Sequence, residues 1–337
     1  MDWFETLVGF RERGYEETRA RLAVQGSRLR SLINGESYAI GELELVSLEA
    51  LRERAGGPGN LPGRFQVSVV TGDVRHMHRL PENAGALFQV ASQFNLLEMV
   101  SPEVTPEDGV SRYVFDRTQG PACAIAAGAA TIYRNYFVPV AGCLGQTAAR
   151  QLDGLADVGN ALGRALETPV SHLWRMQNGY ALATGPGLDA IARHLRSLNA
   201  DEMDDLRRQA SVGLHRDVEV TDAAGPDRPL VSQVFCSALP VAYSSLSPVR
   251  WAPFARLILE AAYEATLHAA ILNAQRGVSN VVFLTWLGGG AFGNHESWIA
   301  AAIRRALRLS MTYDLDVKLV SYRAPSPEML AIAEEFR

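Results

Sequence analysis

The sequence has few cysteines and no pattern that is typical of a metal site. Its three cysteines, Cys123, Cys143 and Cys236, lie far apart in apolar surroundings. This spacing fits neither a disulfide framework nor a zinc site, so we expect three reduced thiols in the core. The histidines show no ligand spacing either, since His76 and His78 form only an isolated H-x-H pair. We therefore expect neither a bound metal nor a cofactor.

The chain also lacks the marks of an exported or membrane protein. It begins without a basic stretch and a long apolar run, and no uncharged run reaches the length of a membrane helix. The net charge is −5, and residues of both signs are mixed along the chain. This argues against general attraction to nucleic acids or membranes. These absences predict a cytoplasmic enzyme or binding protein. A protein delivered into a host cell would show the same features.

G-x-S-x-G, Walker A and Cys–His nucleophile signatures are missing as well. What the sequence does contain is an apolar run at 281–287, a glycine-rich stretch, and an amphipathic segment at 297–309. We interpret this order as a buried strand, a loop and a helix, an arrangement that offers main-chain N–H groups and a helix dipole to an anion such as phosphate. The alternative is a tight strand-to-helix turn without a ligand. The glycine-rich stretch reads Gly288-Gly289-Gly290-Ala291-Phe292-Gly293-Asn294.

The length of 337 residues allows one large domain or two. Residues 1–62 have apolar faces at helical spacing, which predicts an N-terminal helical cap ending in the break at 56–60. From 63 to 337, strands alternate with helices, which favours an α/β sheet covered on both faces. A partly helical insertion is expected around 140–215. We predict strands at 65–70, 86–92, 180–184, 215–221, 231–239, 281–287 and 316–322, and helices at 122–136, 156–166, 188–198, 201–210, 253–275, 297–309 and from 327.

Several polar side chains follow the predicted strands. Asp73 follows the first strand beside a glycine and could bind an amine, or it could only cap a turn. Asn95 follows the second strand, close to Gln93 and Glu98, and the amides could bind ligand hydroxyls or their own loop. Asp116 precedes the alanine-rich segment at 122–136, where it could serve a site or cap the helix.

Other charged residues have simpler explanations. Asp217 and Glu219 lie two apart on a predicted strand, where a carboxylate pair could act as acid and base, although an exposed edge is the commoner case. Glu260 and Glu264 lie one turn apart on an apolar helix. Because ionised glutamates are rarely buried alone, either one serves a site or an arginine such as Arg250 or Arg256 pairs with it.

Four features, in this order along the chain, resemble the macrodomain family. Gly72-Asp73-Val74 resembles the family's Gly-Asp-Ile, which meets adenine. Ala91-Ser92-Gln93-Phe94-Asn95 stands where the family has Asn-Ala-Ala-Asn, whose last asparagine contacts the distal ribose. The glycine stretch from Gly288 resembles the second phosphate loop. Tyr322 matches an aromatic residue that stacks on adenine in some members.

More specifically, the chain is similar to divergent macrodomains of bacterial effector type, which are ADP-ribosyl hydrolases distantly akin to poly(ADP-ribose) glycohydrolase. Three segments carry this likeness together with the phosphate loop: the run from Gln93 onward, Thr118-Gln119-Gly120-Pro121, and Ser237-Ala238-Leu239-Pro240-Val241-Ala242-Tyr243. The glycine triplet of the family's first catalytic loop and its following acidic element are missing, and Thr118 to Pro121 stand near that place.

The resemblance implies a three-layer α/β/α mixed sheet that binds ADP-ribose and removes it from modified proteins. Asp73 and Val74 would meet adenine, Tyr322 would stack on it, and residues 288–294 would hold the diphosphate, with Phe292 beside the distal ribose. Asn95 and Gln119 would orient that ribose. The catalytic carboxylate would be Glu98 or Asp116, and Asp217 after them. A reader that binds ADP-ribose without chemistry, or an interaction protein with a degenerate site, are the alternatives.

Overall fold

A computed structural model describes residues 2–57 and 61–337 and contains one large mixed β-sheet. The sheet has seven strands in the order β4-β11-β12-β6-β13-β14-β5. Within the described residues the strands are β1 (Leu22–Gln25), β2 (Arg28–Ser31), β3 (Ser37–Ala39), β4 (Glu42–Ser47), β5 (Phe65–Thr71), β6 (Leu87–Ala91), β7 (Pro139–Val140), β8 (Cys143–Leu144), β9 (Trp174–Gln177), β10 (Tyr180–Ala183), β11 (Ser211–Glu219), β12 (Leu230–Cys236), β13 (Val281–Leu284) and β14 (Leu315–Ser321).

Helices cover the sheet and fill the connections between its strands. In the same residues they are α1 (Trp3–Val8), α2 (Tyr15–Ala20), α3 (Leu48–Ala55), α4 (Val74–Arg79), α5 (Gln119–Ala126), α6 (Gly128–Tyr136), α7 (Ala156–Ala165), α8 (Val170–Leu173), α9 (Gly185–Ser197), α10 (Ala200–Arg207), α11 (Pro248–Gln275), α12 (Glu296–Ser310) and α13 (Pro327–Glu335). Short 3-10 helices occur at Pro81–Asn83, Pro106–Asp108, Ser111–Phe115 and Val241–Tyr243. None of the helices in residues 2–57 and 61–337 combines the length and apolar character needed to cross a membrane.

The sheet is the centre of three layers, as the sequence predicts. Successive residues of a central strand point to opposite faces. Leu87 and Val282 therefore pack into the core beneath α3, α9, α11 and α12, whereas Phe88 and Phe283 pack into the core beneath α4, α5 and α6. Five neighbouring strands, β12, β6, β13, β14 and β5, pair parallel. At one side β11 pairs antiparallel with β12, and β4 pairs antiparallel with β11.

The N-terminal region is not the helical cap that its apolar spacing predicts. Besides α1, α2 and α3, it forms the three-stranded antiparallel sheet β1-β2-β3 and contributes β4 to the main sheet. The hairpin between β1 and β2 turns at Gly26, whose φ of 58° is the left-handed conformation that such tight turns require. Short apolar runs fit a strand as well as a helix, so leucine spacing alone was a poor guide here. Residues 58–60 of the predicted break lie outside the described residues, and the domain boundary at 62 stays a prediction.

One other element differs from its predicted form. The predicted helix at 122–136 is two helices, α5 and α6, because Ala127 leaves helical geometry with φ −111° and ψ 58°. Thr118 occupies the N-cap of α5. Gly120 brings α5 close to β6, since a Cβ at this position would lie 2.0 Å from the carbonyl oxygen of Ala91. The insertion at 140–215 is partly helical, as expected, with α7 to α10 and the β9–β10 hairpin.

The long helix α11 is buried on most of its surface, and its two glutamates are paired. Glu264 pairs with Arg52 and Arg305, and Glu260 pairs with Arg207. The expectation of arginine partners is therefore confirmed, but the suggested Arg250 and Arg256 are the wrong ones. Burial alone would raise the pKa of Glu264, yet hydrogen bonds from His268 and Arg305 and the charges of the two paired arginines lower it to about 2.

Candidate functional site

A cleft opens where the parallel strands end, beside the junction of β6 and β13. Ligands of open α/β sheets bind at such an edge, where one strand leads to one face of the sheet and its neighbour to the other. Here β6 leads to α5 and β13 leads to α12, which belong to opposite layers. The cleft has two adjoining cavities of about 660 Å³ and about 580 Å³, called here the first and the second cavity. They share Asp116, Arg117, Thr118, Gln119, Thr285 and Trp286.

The strands β6 and β13 separate as they approach this cleft. They pair only at Val282 with Leu87 and at Phe283 with Phe88. Beyond that point the Gln119 side chain takes the place of a strand, since its Nε2 donates to the carbonyl of Gln89 at 2.8 Å and its Oε1 accepts from the N–H of Ala91 at 3.0 Å. The Gln119 amide therefore satisfies the backbone of β6 where β13 no longer pairs with it. Its amide serves the backbone, yet Gln119 lines both cavities, so the role of orienting a ribose stays a prediction.

Glu98 lies on the wall of the second cavity and is the most unusual carboxylate of the site. The residue is only 2% exposed, and its Oε2 has no hydrogen-bond partner among the described residues. Burial raises the pKa of Glu98 to about 7, against the opposing charge of Arg134 and a hydrogen bond with the Tyr113 hydroxyl. A carboxyl group that holds a proton near neutral pH can act as a general acid.

The loop that carries Glu98 is fixed by amide side chains. The Oε1 of Gln93 accepts from the N–H of Met99 at 2.7 Å, and the Oδ1 of Asn95 accepts from the N–H of Leu97 at 3.1 Å. Asn95 also donates to Gln151 at 2.8 Å, is fully buried, and lines neither cavity. The prediction that Asn95 binds the ligand is therefore wrong. The alternative, hydrogen bonding within its own loop, is confirmed.

The glycine loop after β13 forms the facing wall of the second cavity. Gly288, Gly290, Ala291 and Phe292 line it. Among the described residues, no hydrogen bond engages the N–H groups of these four residues. A run of free backbone N–H groups in a turn can bind an anion. The phosphate-binding role of this loop stays a prediction.

Packing explains the other residues of this loop. Gly288 has a φ of 74°, and a Cβ there would lie 2.4 Å from the Cβ of Ala238. Gly289 and Gly293 are equally confined, by Trp286 and Ala242. Asn294 is buried and donates to the carbonyl of Leu239 at 2.9 Å. Gly289, Gly293 and Asn294 line neither cavity, so they shape the loop and do not face the cleft.

Phe292 of the loop packs in a cluster of three aromatic rings that line the second cavity. Phe292 packs against Tyr180 and Tyr243 with ring centroids 5.3 Å and 5.6 Å away. The Tyr180 hydroxyl donates to the carbonyl of Met99 at 2.6 Å, which connects the glycine loop to the segment that carries Glu98. Ring packing and this hydrogen bond thus connect the glycine-loop wall of the second cavity with the wall that carries Glu98.

The first cavity contains the predicted adenine-side residues Asp73, Val74 and Tyr322. The Oδ1 of Asp73 caps α4 by accepting from the N–H of Arg75 at 2.8 Å, which is the alternative role that the sequence allowed. Val74 is buried, whereas Tyr322 is 71% exposed and presents a free ring face. Tyr322 and Asp73 lie at the ends of the paired strands β14 and β5, which explains why they meet in one cavity.

Asp116 and Arg117 lie between the two cavities. The Oδ1 of Asp116 accepts from the N–H of Thr118 at 2.8 Å, which forms a turn just before α5 and does not cap the helix itself. Arg117 has no ion pair or hydrogen bond in the part of the chain that the structure describes, which leaves its charge available to an anion. Sequence reasoning missed Arg117, and only its position next to Asp116 could have suggested it.

Asp217 is not part of the cleft. Strand β11 runs antiparallel to β12, and Asp217 lies near the start of β12, at the opposite end of the sheet from Glu98. Its carboxylate pairs with Arg276, and a bulge breaks the regular alternation with Glu219. The prediction of a catalytic Asp217 is therefore wrong, because the sequence does not reveal the direction of this strand.

The described residues hold no group of three or more metal-ligating side chains. His78 is instead buried and stacked on Phe88 at 3.8 Å, and burial lowers its pKa to about 4. All three cysteines are free thiols. Cys143 is exposed, so its predicted place in the core is wrong.

Comparison with known proteins gives a distant likeness only. No protein-family model and no curated protein matches the sequence. The chain is similar to the solved structure of poly(ADP-ribose) glycohydrolase from Deinococcus radiodurans in complex with ADP-ribose, with 14% identity, coverage of 87% of this chain and 93% of that chain, and a TM-score of 0.44. The enzyme from Thermomonospora curvata is 14% identical, with coverage of 95% and 96% and a TM-score of 0.44. Likeness at this level does not identify an activity, which depends on the residues of the cleft itself.

Proposed function

We propose that this protein binds ADP-ribose in the cleft and hydrolyses the bond between the distal ribose and a modified protein. One observation carries the proposal: Glu98, whose buried Oε2 has no hydrogen-bond partner among the described residues, lines the same cavity as the glycine-loop residues whose N–H groups are free. A proton donor facing an anion site suits a substrate that has a diphosphate next to the bond to be cleaved.

The two cavities accommodate the two halves of such a ligand. The N–H groups of Gly288 to Phe292 and the cation Arg117 would bind the diphosphate. Asp73 and Tyr322 would bind the adenine in the first cavity, by a hydrogen bond to its amino group and by stacking. Phe292 would lie beside the distal ribose. The likeness to effector-type macrodomains that the sequence suggests is also part of this proposal. It concerns which modified protein the enzyme acts on.

Glu98 can supply both proton transfers of the reaction. Its protonated carboxyl gives a proton to the leaving atom as the bond to C1″ breaks and positive charge develops on the ribose. The resulting carboxylate then takes a proton from water, whose hydroxyl adds to C1″. Glu98 regains its proton, and the products are ADP-ribose and the unmodified side chain. Asp116 lines the same cavity and would stabilise the positive charge.

Calorimetry with ADP-ribose and a release assay on an ADP-ribosylated protein test this function. Glu98→Gln should keep ADP-ribose affinity while turnover falls by about 10²–10⁴. Asp217→Asn is the matched control, because it also removes a carboxylate but lies at the other end of the sheet, and it should leave turnover unchanged. Absence of binding at millimolar ADP-ribose would refute the proposal. Binding without turnover would instead identify a reader of ADP-ribose.

A further inference from the structure

The segment from Gly109 to Asp116 forms one side of the cleft and is covered by N-terminal residues. Its 3-10 helix, Ser111–Phe115, contributes Val114 to the first cavity and Phe115 to the second, and Asp116 follows directly. The position of these side chains depends on how the 3-10 helix is held. Its contacts with the N-terminal region therefore bear on the site.

Glu12 holds the beginning of this helix with both carboxylate oxygens. Oε1 accepts from the N–H of Val110 at 2.9 Å, and Oε2 accepts from the N–H of Ser111 at 2.7 Å. The Tyr136 hydroxyl donates to Oε1 at 2.7 Å and fixes the carboxylate from the side of α6. Hydrogen bonds to an ionised acceptor are about twice as strong as neutral ones.

Two further residues of the chain support the contact between Glu12 and the 3-10 helix. Gly109 has a φ of 82°, and a Cβ at this position would lie 2.3 Å from Oε2 of Glu12. Only glycine therefore leaves room for the carboxylate at its place. The indole N–H of Trp3 donates to the carbonyl of Ser111 at 3.2 Å, so a second N-terminal residue holds the same turn.

The same 3-10 helix reaches Glu98 through Tyr113. The Tyr113 ring is buried, and its hydroxyl accepts from the N–H of Glu98 at 3.0 Å. A continuous set of contacts thus leads from Glu12 through one short helix to the carboxyl group in the second cavity.

We propose that Glu12 is a positioning residue, which fixes the Ser111–Phe115 helix so that Tyr113 keeps its contact with Glu98 and Asp116 keeps its place in the wall of the second cavity. This inference rests on the proposed function for its catalytic consequence, but not for its structural one. It also gives the N-terminal region a role in the site, since the region reaches the cleft wall through Glu12 and Trp3.

Loosening the helix should change the protonation of Glu98. The groups that face Glu98 are Arg134 from α6, Tyr113 from the 3-10 helix and Cys123 from α5. If the 3-10 helix moves away, water reaches the carboxyl group and its pKa falls towards the usual value. At neutral pH less of the enzyme then carries the proton, so the falling limb of kcat moves to lower pH.

The test compares Glu12→Ala and Glu12→Gln with Glu16→Ala, a control whose carboxylate is 81% exposed. In Glu12→Ala, hydrogen exchange at the amides of Val110 and Ser111 should accelerate about tenfold or more. The kcat of ADP-ribose release should fall, and its falling limb should move to lower pH. Glu12→Gln keeps one acceptor oxygen and should lie between the wild type and Glu12→Ala in both measurements. The control should match the wild type.

Unchanged exchange at both amides would overturn the proposal. Faster exchange with an unchanged pH profile would also overturn it, since Glu12 would then have only a structural role. If Glu12→Ala does not fold, Glu12→Gln decides by the same two measurements. If the wild type neither binds nor releases ADP-ribose, the proposed function fails, and the exchange rates still decide whether Glu12 fixes this segment.

Discussion

Nη2 of Arg134 lies 3.5 Å from Oε1 of Glu98, and both side chains are almost completely buried. Arg134 also donates hydrogen bonds to other acceptors. Its Nε donates to the carbonyl of Leu96 at 3.1 Å, and its Nη2 donates to Thr131 Oγ1 at 3.0 Å. The guanidinium additionally lies 3.8 Å over the Phe235 ring. Because the arginine makes only one long contact with the carboxylate, it leaves Glu98 able to hold a proton near neutral pH.

The pH dependence of turnover should report this pair. The reaction needs protonated Glu98, so kcat should fall as the pH rises through about 7. The nearby charge of Arg134 favours the ionised carboxylate. Arg134→Met should therefore raise the pKa of Glu98 further and move the falling limb of kcat to higher pH.

This variant also loses stability, by about 3–5 kcal/mol, because a partner of a buried ion pair is removed. Its kcat should therefore be measured at a temperature where the variant is shown to be folded. Arg30→Met, which removes an exposed arginine from the N-terminal sheet, is the control and should keep the wild-type profile. A falling limb that stays in place in Arg134→Met would contradict the assignment of Glu98 as the acid.

Much of the fold could be predicted because its central strands are buried on both faces. Strands β6 and β13 are short, mostly apolar runs, whereas β14 alternates buried apolar residues with Asp316 and Lys318. The predicted positions of all three overlap the observed strands. The N-terminal region could not be predicted in this way. Its strands are short, and the leucines around Leu43 and Leu45 fit a helix face as well as the edge strand β4.

The residues of the site also differ in how well the sequence could predict them. The glycine loop, Asp73, Tyr322 and Glu98 follow parallel strands, so strand direction alone brings them to one edge of the sheet. Asn95 and Gln119 also lie near strand ends, but an amide can bind its own backbone as well as a ligand, and sequence does not distinguish these uses. Arg134 and Tyr113 were missed. The only signal was an arginine in an alanine-rich segment, since a buried charge requires a partner.

Two glycines of the phosphate loop should respond differently to substitution. Gly290 has no heavy atom within 4 Å of a built Cβ and lines the second cavity, so Gly290→Val should fold normally but occupy ligand space. We expect a loss of ADP-ribose affinity of about tenfold or more, as one lost hydrogen bond to a charged group would give. Gly288→Ala should instead lower the free energy of unfolding by about 1–3 kcal/mol, because of its positive φ and the contact with Ala238.

Thermal unfolding and calorimetry on both variants separate these effects. Equal loss of stability in both would show that the loop is only a structural turn. Unchanged affinity in Gly290→Val would show that the ligand does not approach this glycine.

Tyr322 should contribute to affinity without contributing to stability. Its ring is 71% exposed at the edge of the first cavity, so Tyr322→Ala removes little buried surface. Stacking of a base on an aromatic ring is worth about 1–3 kcal/mol, which predicts about 5- to 150-fold weaker binding of ADP-ribose. Leu144→Ala, at an exposed apolar residue outside both cavities, is the control. If ADP-ribose binds Tyr322→Ala as tightly as the wild type, the adenine does not lie in the first cavity.

Glu264 should determine much of the acid stability of the fold. Its side chain lies on α11 and is almost completely buried. It pairs with Arg52 of α3 and Arg305 of α12, so it links three helices over one face of the sheet. Burial opposes its ionisation, but its hydrogen bonds and paired charges lower its pKa from 4.5 to about 2. A carboxyl whose pKa is lower in the folded state stabilises the fold above pH 4.5, and this contribution is lost as the pH falls towards 2.

Glu264→Gln should therefore lower the free energy of unfolding by about 3–5 kcal/mol at neutral pH, since it leaves two arginines without their buried partner. Below its usual pKa the difference from the wild type should shrink, because protonation removes the same charge from the wild-type protein. Denaturant unfolding at several pH values measures both effects. Glu49→Gln, which affects an exposed pair with Arg208, should cost at most about 1 kcal/mol. A difference between Glu264→Gln and the wild type that does not change with pH would show that the lost stability comes from packing and not from the ion pairs.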